Sequence, residues 1–328
     1  MIKIKNTNAT NMKLIEFHIH SFSMRYQFRY RNDFDVFSFI DFAKNAGFTG
    51  VNISANGPGY RDLSGTTESH FKKVLECLQT HSMKCELDTS DTSVENLTRM
   101  LDVAKAIGAE QLRVYTQYNG TLTDLIDWTV RDLRAVAPKA EALGINIVLE
   151  NHEDFQGAAL ANILGQVNHP RIRALYDYGN SQMVAEEPMA ALEAMIDYIT
   201  CVHLKDHVVV EKNGADIIQG VPIGQGSLPI MLQTDRLYES GLRRYCFENV
   251  WGYVAPVVDG RPLPNTSAFS KNHSHQFLDA NILSESKALA GELNAFETAW
   301  SWLQENLKKN GYKLQKNSAE LTMTQISV

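Results

Sequence analysis

The chain has 328 residues, 44% hydrophobic and 21% charged, with a net charge of −7 and a pI near 5.8. That composition is ordinary for a soluble globular protein, and the length suits a single α/β barrel. The acidic balance argues against a surface that tracks nucleic-acid phosphates, and no apolar run approaches the roughly 20 residues needed to span a bilayer. Residues 1–12 are polar and carry no apolar signal core, so they are expected to be a loose extension rather than a secretory leader. Cys77, Cys85, Cys201 and Cys246 form no C-x-x-C pair and are expected to be reduced thiols of a cytoplasmic protein.

In chain order, Leu14–His20 reads as a first strand and Phe34–Ala46 as a helix closed by Gly47. Thr49–Ser54 is a second strand, followed by the turn-rich NGPGYRDLSG. The helix Glu68–His81 puts Phe71, Val74, Leu75 and Leu78 on one face. Lys84–Thr89 is a third strand, Ser93–Ile107 a helix stopped by Gly108, and Gln111–Thr116 a fourth strand. A long helix over Leu122–Leu143 carries a kink or break at Pro138. The fifth strand is Ile145–Leu149, the sixth Arg173–Tyr176 and the seventh Ile199–Leu204, with helices at Ala161–Val167 and Pro188–Ile196. An Asn-Gly turn in EKNGA predicts a β-excursion before the helix Leu228–Ser240 and the eighth strand Arg244–Phe247. The polar segment Tyr253–His275 is long enough to predict a lid or active-site loop. One or two helices over Phe277–Leu307 end the fold, and the tail from Lys308 is expected to fray. Eight strand–helix alternations predict one (β/α)8 barrel over residues 13–310, between a flexible 1–12 and a tail 311–328.

Four consecutive strands end in a metal-competent side chain: INIVLE at Glu150, ALYD at Asp177, TCVH at His203 and YCFE at Glu248. A buried strand that releases a polar group at its C-terminal end delivers it to the catalytic face of such a barrel. One such residue reads equally well as a cap or an ion-paired strand end. Four in succession predict a shared site of three carboxylates and one imidazole, a donor set that suits Mn²⁺, Mg²⁺ or Co²⁺ better than thiolate zinc.

The motifs LEN at Leu149–Asn151, D-x-G-N at Asp177–Asn180, VHLKD at Val202–Asp206, IGQG at Ile223–Gly226 and FEN at Phe247–Asn249 together resemble the xylose-isomerase-like barrel superfamily, from about Leu14 to Gly252. The superfamily includes sugar isomerases and epimerases, inosose and dehydroshikimate dehydratases, and apurinic endonucleases. The resemblance implies that Glu150, Asp177, His203 and Glu248 bind the metal. It further implies that Glu150 and Glu248 move substrate protons, as in ketose 3-epimerases. Gln225 stands where many relatives have an acid. Homo-oligomers are frequent in the family.

A divalent ion that grips a ketone and a neighbouring hydroxyl favours an enediolate, and a carboxylate beside it removes the α-proton. Proton return gives epimerisation or aldose–ketose isomerisation of a small keto-sugar. Loss of carboxylate or hydroxyl instead makes the enzyme a decarboxylase or dehydratase of a sugar acid. An apurinic endonuclease, which needs a histidine-rich zinc cluster and a basic surface, is disfavoured. Arg113 shares a strand face with Tyr115 and pairs either with a ligand such as Glu150 or with a substrate anion. Lys205 either polarises a substrate oxygen or pairs with Asp206. His152 and Glu153 are candidates to surround Glu150, with His152 on the substrate. Of His18 and His20, one faces the pocket or both are core residues. Trp251 and Tyr253 offer an apolar wall to a sugar face or pack the loop. His207, His273 and His275 read as solvated loop residues.

Overall fold

The structure, a computed structural model, describes residues 12–258, 262–271 and 275–316. The strands are β1 (Lys13–His20), β2 (Gly50–Ser54), β3 (Lys84–Asp88), β4 (Gln111–Val114), β5 (Asn146–Glu150), β6 (Ile172–Asp177), β7 (Ile199–Leu204), β8 (Asp206–Lys212), β9 (Ala215–Val221), β10 (Arg244–Phe247), β11 (Val254–Pro256) and β12 (Tyr312–Leu314). The helices are α1 (Arg25–Tyr30), α2 (Val36–Asn45), α3 (Glu68–Thr80), α4 (Val94–Ile107), α5 (Leu122–Leu143), α6 (Gly157–Val167), α7 (Pro188–Met195), α8 (Ile230–Glu239) and α9 (Glu285–Lys309).

Strands β1 to β7 and β10 are parallel and in ring order, and β1 closes the barrel against β10 through the pairs Glu16–Arg244 to Ile19–Phe247. These are the eight strands expected from the sequence. They are buried almost throughout because helices cover their outer faces and side chains fill the inside. Helix α9 seals the seam between β1 and β10. Its Phe296 and Trp300 meet Phe48 and Phe247, with the Trp300 ring stacked 4.4 Å from Phe48. Capping fixes the helix starts. Asp35, Thr67, Ser93 and Thr121 accept backbone N–H bonds at the N-termini of α2, α3, α4 and α5.

Several details depart from the sequence reading. Pro138 lies inside an unbroken α5. Helix α1 was hidden in the short stretch RYQFRY, whose six residues are too few to establish a period. The tail expected to fray includes β12, which pairs with β1 from Lys13–Tyr312 to Ile15–Leu314. The Asn-Gly excursion is an antiparallel β8–β9 hairpin, and the loop after β10 adds β11 to it. Ala268 and Phe269 of that loop pack with Met183, Val209 and Ile218. His207 is no loop residue: it sits fully buried at the base of β8. His273, like residues 1–11 and 317–328, lies outside the described residues. Cys85, Cys201 and Cys246 are buried on barrel strands and Cys77 is half-buried; all four are free thiols. No described helix is long and apolar enough to cross a membrane.

Candidate metal and substrate site

Glu150, Asp177, His203 and Glu248 stand at the C-terminal ends of β5, β6, β7 and β10, and all are buried. The asparagines of the sequence motifs hold these ends in place. Asn151 pairs with the Asp177 backbone as a strand would, its Oδ1 accepting from Asp177 N at 2.7 Å and its Nδ2 donating to Asp177 O at 3.1 Å. Asn249 donates its backbone N–H to Ser23 Oγ at 2.9 Å and its side chain to Glu292 O at 3.2 Å, which ties the end of β10 to α9. Asp177 Oδ1 accepts the N–H groups of Gly179 and Asn180 at 2.8 and 2.9 Å, so that carboxylate is aimed by the turn that follows it.

The four side chains converge as two overlapping groups. Glu150, Asp177 and His203 offer ligand atoms within 4.8 Å of one another, and so do His20, His203 and Glu248. His203 Nδ1 lies 3.2 Å from Glu150 Oε1, and its Nε2 meets the Asn52 amide at 3.1 Å. The Lys205 ammonium stands between the groups, 2.9 Å from Asp177 Oδ2, 3.6 Å from Glu248 Oε2 and 2.8 Å from Asn180 Oδ1. The rim pair of Lys205 with Asp206 is therefore not formed. Asp206 instead accepts the backbone N–H groups of His207, Gly224, Gly226 and Leu228. That explains the glycine-flanked motif. A Cβ at Gly226 would lie 1.9 Å from Asp206 Oδ1, so only glycine brings this N–H to the carboxylate.

Asp88 was missed in the sequence, although LysCysGluLeuAsp ends β3 in a carboxylate just as the later strands end. It is fully buried and accepts from His20 Nε2 at 2.6 Å, and Arg113 Nη2 lies 2.8 Å away. Arg113 Nε also lies 3.3 Å from Glu150 Oε2. Its guanidinium is thus paired within the protein, including with Glu150, though one edge still faces the cavity. His20 Nδ1 accepts the Phe22 N–H at 2.8 Å, so Nε2 carries the proton given to Asp88. His20 faces the pocket, whereas His18 is core, 3.4 Å from Glu86.

Burial alone would raise both glutamates. For Glu150 the Arg113 guanidinium and the His203 imidazole reverse this and hold it well below the usual carboxylate range. For Glu248, Lys205, His20 and His203 do the same, to about 2. Asp177 is pushed up to about 6 by burial, which Lys205 opposes and its acidic neighbours reinforce. Burial disfavours charge on His203, yet its hydrogen bond to Glu150 and the nearby carboxylates lift it to about 9. Burial lowers His152.

The donor set fits a divalent cation. Glu150 Oε2, Asp177 Oδ2 and Glu248 Oε2 are buried, and among the described residues they are met only by the ion pairs to Arg113 and Lys205. Among the described residues, Asp88, Glu150, Asp177 and Glu248 pair with two permanent cations, Arg113 and Lys205. The surplus negative charge favours a cation, and the same carboxylates raise His203.

Above this layer a cavity of about 270 Å³ is lined by His20, Phe22, Arg61, Tyr115, His152 and Tyr253, among others, with Lys205 and Glu248 at its floor. His152 stacks on Tyr115 at 4.0 Å and 6°, and Tyr253 donates its hydroxyl to Glu153 Oε1 at 3.2 Å across the mouth. Trp251, expected to line this wall, does not. It turns outward and packs on α9, where a Cβ at Gly291 would lie 2.1 Å from its ring. Phe22 takes its place, edge-on to Tyr253 at 6.1 Å.

Residues 40–260 match the model of a family described as xylose isomerase-like TIM barrel. The "Uncharacterized protein YihM" of Escherichia coli (strain K12) is 22% identical over 311 residues, covering 90% of this chain and 94% of its own. A D-tagatose 3-epimerase-like protein superposes with a TM-score of 0.57 at 18% identity, over 71% of this chain and 90% of that one. The IOLI protein with a bound zinc atom does so with a TM-score of 0.60 at 14% identity, over 88% and 98%.

Proposed function

Because the chain belongs to the xylose isomerase-like TIM barrel family, we propose that it is a divalent-metal-dependent isomerase or epimerase of a small keto-sugar, working through an enediolate. The observation that carries this reading is the pair Glu150 and Glu248. Both are buried, both are held ionised, and they stand three strands apart around one cation-seeking cluster. The metal would be held by Glu150, Asp177, His203 and Glu248, and the oxygen-rich set favours Mn²⁺. When bound, it polarises a ketone and the adjacent hydroxyl.

The chain's own residues do the rest. One ionised glutamate takes the proton from the carbon beside the ketone and becomes the carboxylic acid. Return of that proton to the neighbouring carbon gives isomerisation, whereas epimerisation needs the other glutamate to have first taken a proton from solvent, which it then gives to the opposite face. Arg113 and His203 keep Glu150 charged and aimed; Lys205 does so for Glu248. The Lys205 ammonium is within reach of a developing oxyanion at the cavity floor. Phe22 and Tyr253 give an apolar wall to the sugar face, and His152 on Tyr115 gives the facing one. The D-tagatose 3-epimerase-like neighbour supports this reading.

A second reading, loss of water or carboxylate from a sugar acid, draws on the guanidinium of Arg61 at the cavity wall. Turnover of the Mn²⁺-loaded protein in heavy water separates the two. Deuterium exchanged into substrate and product of equal carbon and oxygen content is expected. Release of CO₂ or water would replace the first reading by the second.

A further inference from the structure

A second cavity, of about 450 Å³, opens beside the first and shares Phe22, Arg61 and Tyr253 with it. The inner cavity alone is at the small end for a ligand site, which commonly occupies roughly 300–1,000 Å³. A molecule whose carbonyl end rests over Glu248 and Lys205 therefore leaves by way of Arg61 into a larger chamber. That chamber is walled by the rings of Phe22, Tyr26, Phe28 and Tyr253 and carries three guanidinium groups, Arg25, Arg29 and Arg61.

Their charges are not equivalent. Arg61 is neutralised by Asp62, with Nε–Oδ1 at 2.8 Å and Nη2–Oδ2 at 3.1 Å, and Asp62 is further satisfied by Ser21 Oγ at 2.7 Å. Among the described residues, Arg25 and Arg29 have no carboxylate partner. Arg25 donates to the carbonyls of Trp251 at 2.5 Å and Asn249 at 3.5 Å and lies 4.5 Å over both Phe22 and Tyr26. Arg29 is exposed and lies over the ring of Tyr30, 5.1 Å away. The chamber thus holds two guanidinium groups with no carboxylate in ion-pair contact among the described residues, although Glu292 acts on Arg25 from further off, and Arg25 is fixed in orientation before any ligand arrives. Fixed, unpaired guanidinium groups in a concave site are how proteins take phosphates and carboxylates.

We propose that this chamber is a subsite for an anionic group at the end of the substrate remote from its carbonyl. Resting on the isomerase reading, it makes the substrate class a keto-sugar that carries a phosphate ester or a carboxylate there. Arg25 and Arg29 hold the anion, Arg61 marks the passage, and the aromatic rings cover the intervening carbons.

The test is calorimetric binding of D-fructose, D-fructose 6-phosphate and D-fructuronate to the full-length, metal-free protein, with no turnover involved. One or both anionic sugars are expected to bind at least about tenfold tighter than fructose, and more weakly as salt is raised. The Arg29→Gln variant, altered at an exposed side chain, should fold normally and lose most of that preference, and Arg25→Lys should reduce it in the same direction. Which anion is preferred identifies the group. Equal affinity for all three sugars, or a preference untouched by Arg29→Gln, overturns the subsite. A protein that prefers the anionic sugar but turns over neither form when loaded with metal would sink the isomerase reading and leave the subsite standing.

Discussion

The Lys205 ammonium lies 2.9 Å from Asp177 Oδ2, inside the cluster expected to bind a metal. It is a built-in counter-charge: burial disfavours its charge, but Asp177 and Glu248 more than reverse this and raise it. A cation that enters must share Asp177 and Glu248 with it. Lys205→Met should therefore tighten Mn²⁺ binding by about tenfold or more, since a like charge a few ångströms away is removed. The same change should lower the melting temperature of the metal-free protein, because two buried carboxylates lose their partner. Calorimetric titration and thermal melts read the two effects. Unchanged affinity would mean that Lys205 does not neighbour the metal.

Glu150 and Glu248 are given two tasks, ligand and proton carrier, and the tasks are separable. Glu150→Gln and Glu248→Gln each keep an oxygen able to bind a cation but remove the basic group. Each should lower kcat by roughly 10²–10⁴ while Mn²⁺ binding weakens less than turnover does. A variant that retains wild-type turnover would remove that residue from the proton path.

Glu292 of α9 is fully buried and accepts the backbone N–H groups of Tyr26 and Gln27 at 2.9 and 3.0 Å, capping α1 from another helix. Burial raises its carboxyl to about 7, against the pull of those donors. An acid raised in the folded state contributes stability that is complete below its ordinary value of about 4.5, and that is lost as pH rises through 7. Unfolding free energy should fall by up to about 3 kcal/mol between pH 5 and pH 8 from this group. Urea titrations at the two pH values should show a smaller drop in Glu292→Gln than in wild type. An identical drop in both would show that Glu292 ionises at its ordinary pH.

Gly220 of β9 lies against the loop that carries Tyr253. It donates its N–H to Tyr253 O at 2.8 Å, and a Cβ there would stand 2.0 Å from Val250 O. Gly220→Ala has to push two backbones apart. It should cost about 1–3 kcal/mol of stability and raise KM through displacement of Tyr253. Chemical denaturation and steady-state kinetics check the pair, and a variant with native KM would show that Tyr253 does not depend on this contact.

The barrel and the four strand-end ligand candidates were legible because both are local. A strand buried on both faces must be apolar, so the abrupt arrival of Glu150, Asp177, His203 or Glu248 marks its end and its outlet together. Whatever depends on two elements meeting was decided only in three dimensions. Arg113 chose Asp88 and Glu150, Lys205 chose Asp177 over its sequence neighbour Asp206, and Trp251 turned to α9 while Phe22 faced the cavity. A side chain's partner is set by which buried charge or void the fold brings within reach, and the cost of leaving a buried charge unpaired exceeds any preference written along the chain.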